Sequence, residues 1–110
     1  MEPNATGRKI LMVDDEERNL FILEGILAPV QYTLDRATTG QEAMEKVLDD
    51  PPDLILLDVM MPGLSGFDVC RHLKSQEATR FIPILLVTAL SDKDSKIQGA
   101  EAGADDFISK

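Results

Sequence analysis

Two runs, Leu54-Ile55-Leu56-Leu57 and Ile84-Leu85-Leu86-Val87, contain no polar residue at alternate positions. A strand with one face in water alternates. A strand that does not alternate reads as central in a parallel sheet covered on both faces. Parallel neighbours cannot be joined by a hairpin and need a crossover of a dozen or more residues, usually a helix. The chain supplies both parts. Further apolar runs lie at Lys9 to Val13 and Tyr32 to Ala37, with a weaker one at Phe107 to Ile108.

Helical spacing fills the intervals. Leu20, Leu23, Ile26 and Leu27 form one stripe after the first run. Thr39, three residues before Glu42, has the pattern of a capping box and leads into Ala43, Met44, Val47 and Leu48 on a buried side, until Pro51 and Pro52 stop the helix. Ser65 can cap a stripe of Phe67, Cys70 and Leu73. Ser91 and Asp92 can open a last helix that reaches Ala102, with Gly103 as its left-handed stop.

Alternating strands and helices imply right-handed crossovers and an open sheet with helices on both sides. The expected fold is α/β, flavodoxin-like and doubly wound, with strand order 2-1-3-4-5. One domain spans residues 1–110, with residues 1–8 as a polar lead. The chain stops at Lys110 just after the fifth run, so the sheet is expected to lack a final helix.

Twenty acidic against 11 basic residues give a formal charge of −9. Such a surface repels nucleic-acid phosphates and anionic lipids, so neither is expected as a direct partner. Cys70 is the single cysteine, which rules out an internal disulfide and fits a reducing compartment. Neither a leader pattern nor an apolar stretch of about 18 residues occurs, so membrane spanning and secretion are disfavoured and a cytoplasmic setting is expected.

In an open α/β sheet, sites form beyond the carboxyl ends of the strands. Asp14 and Asp15 follow the first run, Asp58 ends the third, Thr88 the fourth and Lys110 the fifth. With strands one and three adjacent, three carboxylates share one cleft, an arrangement that opposes folding unless a cation joins them. Oxygen ligands without His or Cys suit Mg²⁺ better than zinc, and Mn²⁺ can substitute. The backbone carbonyl of Met60 can add a ligand. Three carboxylates, one dication and the Lys110 ammonium then balance, so a dianionic phosphoryl group can approach. Asp58, reachable from solvent, can act as a carboxylate nucleophile toward phosphorus, with Thr88 and Lys110 holding the transferred oxygens. Taken singly, each of these residues reads more simply as a turn, a cap or a solvated end.

The motifs "ILMVDDE", "LILLDVMMPGLSG", "PILLVTA" and "GAEAGADDFISK" resemble, as an ordered set from Ile10 to Lys110, the response-regulator receiver domain of two-component signalling. The resemblance implies that Asp58 is the phosphoacceptor, charged by a sensor histidine kinase or a phosphotransfer protein. It implies Mg²⁺ held by Asp14, Asp15, Asp58 and the Met60 carbonyl, Thr88 and Phe107 as paired switch residues, and Lys110 as the phosphate-binding lysine. Family members usually continue into a proline and a final helix, so the chain reads as a fragment of a longer regulator. An uncovered apolar sheet face would then favour a homodimer or a strand-exchanged oligomer.

Such a protein signals by accepting and losing one phosphoryl group and is not a turnover enzyme. Two other readings compete: a degenerate receiver that works only as an interaction module, and an aspartate-nucleophile phosphatase. The phosphatase would want a second acid two residues after its nucleophile, where Met60 stands. A nucleotide-binding module is disfavoured because no Gly-rich phosphate loop follows the first run. His72, beside Arg71 and Lys74, is expected to be solvated, and Cys70 to fill the core.

Overall fold

The structure, a computed structural model, describes residues 8–89 and 93–109. Five parallel strands form one sheet: β1 (Lys9–Val13), β2 (Thr33–Ala37), β3 (Leu54–Leu57), β4 (Ile84–Thr88) and β5 (Asp106–Ser109). Their order is β2-β1-β3-β4-β5, the flavodoxin-like arrangement expected. The crossovers are α1 (Glu17–Leu27), α2 (Gly40–Asp49), α3 (Gly66–Lys74) and α4 (Lys93–Glu101). Among the described residues no helix follows β5. The expected start of the last crossover at Ser91 and Asp92 lies outside the described residues.

Period-2 geometry sorts the strand side chains onto two faces. Leu11, Val13, Ile55, Leu57, Ile84 and Leu86 meet Ala43 and Val47 of α2 and Phe67, Val69, Cys70 and Leu73 of α3 in the larger core. Ile10 and Met12 meet Leu20 of α1 in the smaller one, with Leu23, Leu27, Leu54 and Leu56 only partly buried. Leu54, Leu56, Leu85 and Val87 are half-buried, so β3 and β4 are fully covered on one face only. Their lack of alternation led to an expectation of cover on both faces. Among the described residues α1 alone flanks the second face, and its cluster takes in β2, β1 and β3 rather than the whole sheet.

The ends of the helices show local sequence acting directly. Ser65 Oγ accepts from the Asp68 N–H at 3.2 Å while Asp68 Oδ2 accepts from the Ser65 N–H at 3.2 Å, a complete capping box. Thr39 Oγ1 accepts from the Glu42 N–H at 3.0 Å, but the Glu42 carboxylate reaches one residue further back, to the Thr38 N–H at 2.8 Å. Gly103 takes φ +95°, and the Ala104 N–H donates to Gly99 O and the Gly103 N–H to Ala100 O, which closes α4 in a Schellman motif. Two residues placed on buried stripes face outward instead: Ile26 is 65% exposed and Leu48 64%. Helical period assigns a face to each residue but not how far the neighbouring layer covers that face.

Candidate functional site

The register places the acids. Val13 of β1 pairs with Leu57 of β3, so the next residues, Asp14 and Asp58, leave the sheet side by side. The Asp58 N–H donates to Val13 O at 2.9 Å, and the Asp14 N–H to Ala37 O at 3.1 Å, which ties both backbones to neighbouring strand ends. Asp14 Oδ1 accepts from the Glu16 N–H at 3.0 Å, turning the chain into α1 and leaving Asp15 exposed. Asp14 and Asp58 are buried at 2% and 6% exposure.

Carboxylate oxygens of Asp14, Asp15 and Asp58 lie within 4.8 Å of one another. Around an octahedral Mg²⁺ with bonds of about 2.1 Å, opposite oxygens stand roughly 4.2 Å apart, a separation of the same order. The donors are all hard oxygens. Residues distant in sequence thus form a cluster that could hold a divalent cation, although like charges this close oppose folding without one.

An open cavity of about 240 Å³ lies over the cluster, lined by Asp15, Glu16, Asn19, Asp58, Met60, Thr88 and Ala89. Thr88, fully buried, ends β4 at the floor of this opening. Met60 stands in its wall with an exposed side chain. Asp14, Asp15, Asp58, Met60 and Thr88 are therefore gathered at one end of the sheet.

Phe107 is placed apart from them. It pairs with Leu86 on β4, two positions before Thr88, and packs half-buried against the larger core and against Gly99 of α4. It lines a second hollow with Lys96, Gly99 and Ala104. Lys110 lies outside the described residues.

Glu16, Asn19 and Ala89 were not singled out from sequence. Asn19 Nδ2 donates to Glu16 Oε1 at 3.0 Å at the cavity mouth. Their position after "DD" and "VT" was the signal available, since residues that follow a strand-end acid or hydroxyl must line the same opening. Outside the site, His72 is exposed and Cys70 fully buried. Burial pushes the Cys70 thiol up to about 11, so it stays protonated at neutral pH. No helix among the described residues is long and apolar enough to cross a membrane.

A family model for the response regulator receiver domain matches residues 10–110. The response regulator PleD of Caulobacter vibrioides is 49% identical over 102 residues, which cover 93% of this chain and 22% of PleD. The phosphate regulon transcriptional regulatory protein PhoB of Pseudomonas aeruginosa is 45% identical over 104 residues, covering 94% of this chain and 45% of PhoB. The chain therefore spans less than half the length of these curated relatives. Among solved structures, the Vibrio cholerae chemotaxis protein CheY4 superposes with a TM-score of 0.88 at 30% identity, covering 94% of this chain and 86% of that one. The N-terminal domain of a response regulator receiver protein from Methanoculleus marisnigri gives 0.84 at 32% identity, covering 93% and 83%.

Proposed function

Because the chain belongs to the response-regulator receiver domain family, we propose that Asp58 accepts a phosphoryl group from a phosphohistidine in a Mg²⁺-dependent reaction, and that the acyl phosphate switches an output. The observation that carries this reading is the convergence of the Asp14, Asp15 and Asp58 carboxylates beside an open cavity that Asp58 and Thr88 line.

Asp58 Oδ attacks phosphorus as the bond to the donor's imidazole nitrogen breaks, and the electron pair returns to that nitrogen. Asp14, Asp15, Asp58 and the Met60 carbonyl would hold the ion. When bound, Mg²⁺ neutralises the charge that builds on the phosphoryl oxygens. Thr88 donates its hydroxyl to one of those oxygens, and Lys110 offers its ammonium to another. The new dianion favours the loop arrangement in which Thr88 faces it, and Phe107 turns inward as Thr88 moves. In this reading the partners are a sensor histidine kinase or phosphotransfer protein, the setting is cytoplasmic, and residues 1–110 are the receiver part of a longer regulator. Nucleic acid is not bound by this segment directly.

The test is incubation with Mg²⁺ and acetyl phosphate followed by intact-mass measurement. Wild type should gain one phosphate, and both Asp58→Asn and wild type treated with a chelator should gain none. An adduct that survives in Asp58→Asn moves the acceptor elsewhere. Its absence from wild type in Mg²⁺ favours the interaction-only reading.

A further inference from the structure

Two glycines abut the loop that carries the site. A Cβ built on Gly66, the first residue of α3, would fall on the Asp58 carbonyl oxygen, 2.8 Å from Val59 Cα and 2.9 Å from the Asp58 carbonyl carbon. All three atoms are backbone, so no rotamer change relieves the overlap. Gly40, which opens α2, presses on the far end of the same loop: its Cβ would stand 2.7 Å from Val69 Cγ2 and 3.0 Å from Leu64 Cβ. Neither glycine has a positive φ. Conformational freedom therefore does not explain them; proximity does.

We propose that Gly66 and Gly40 are positioning residues for the carboxylate site, setting from its two ends the path of the loop Asp58 to Ser65. This inference rests on the phosphoacceptor reading of Asp58. The Gly66 N–H donates to Val59 O at 2.9 Å, which locks the start of α3 to the residue after Asp58. On its other side Asp58 is held to β1 through its N–H on Val13 O. α3 cannot simply retreat, because Phe67, Val69, Cys70 and Leu73 bury it and the Ser65–Asp68 box fixes its first turn. An added methyl at position 66 must therefore displace Asp58, Val59 and Met60 by several tenths of an ångström. Mg²⁺ demands near-ideal octahedral geometry at about 2.0–2.1 Å, so a shift of that size in one or two ligands weakens the ion's hold.

The test is an amide NMR titration with Mg²⁺ on wild type, Gly66→Ala, Gly40→Ala and a control, Leu73→Ala, with thermal midpoints for each. Leu73 is buried near the far end of α3, so its truncation destabilises the fold by a cavity and adds no atom against the loop. The expected result is at least a tenfold loss of Mg²⁺ affinity in Gly66→Ala and a several-fold loss in Gly40→Ala. Leu73→Ala should lower the midpoint and bind the ion as wild type does. Gly40 meets side chains, which can yield, so Gly40→Ala decides the matter if Gly66→Ala fails to fold. Variants that bind Mg²⁺ as tightly as wild type would overturn the inference alone. A wild type that neither binds Mg²⁺ nor takes phosphate from acetyl phosphate would overturn the phosphoacceptor reading, and this inference with it.

Discussion

Lys74 Nζ donates to the carbonyls of Arg80 and Ile82 at 3.1 and 2.9 Å and to Asp105 Oδ2 at 3.0 Å, while the same Asp105 oxygen accepts from the Ile84 N–H at 2.8 Å. This group ties the end of α3 to the starts of β4 and β5, at the opposite end of the sheet from the acids. Burial works against the Asp105 carboxylate, but the Ile84 N–H and the Lys74 ammonium outweigh it and hold the carboxyl below the usual range. A carboxyl depressed in the folded state adds stability that is complete above its unfolded value, about 4, and is lost as pH falls through the folded value. Asp105→Asn should therefore lower the thermal midpoint at neutral pH, and the gap to wild type should shrink below about pH 4. Midpoints collected across that range check it. None of this was legible in the sequence, where Lys74 and Asp105 are 31 residues apart.

At the scale of elements, what was legible was local. The caps at Ser65 and Gly103 follow from a few adjacent residues, and the structure builds both. Ser65→Ala removes the acceptor for the Asp68 N–H and should cost about 1 kcal/mol, read by urea denaturation. The same change loosens the turn between the carboxylate loop and α3. Half of the box at Thr39 was misjudged, because sequence does not say whether Glu42 reaches residue 39 or residue 38. Ile26 and Leu48 were placed inward because period alone assigns a face and does not say how much of that face its neighbours cover. The strand order and the convergence of Asp14, Asp15 and Asp58 were legible for a topological reason: parallel strands deliver their following residues to one edge.

Over the whole molecule, the two sheet faces differ. One is packed by α2 and α3 and by Ala102 at the end of α4, while on the other Leu54, Leu56, Leu85 and Val87 are half-buried and Ile22, Ile26 and Ile108 exposed. Non-alternating strands announce two covered faces, and only the expected lack of a final helix pointed to one of them lying open. Apolar patches of a few hundred Å² mark association surfaces. Residues 1–110 are thus expected to self-associate, with an average mass in sedimentation equilibrium that rises through the high micromolar range. A monomer throughout that range would contradict the expectation. The opposite end of the sheet carries the acids, and a carboxylate at the end of β3, held beside two others, is the proposed point of phosphorus attachment. Borohydride reduction of the protein phosphorylated by acetyl phosphate in Mg²⁺, followed by peptide sequencing, tests it most directly, because an aspartyl phosphate is reduced to homoserine. Homoserine is expected at position 58 and nowhere else; homoserine at position 14 or 15, or phosphate that survives reduction on another side chain, would place the acceptor elsewhere.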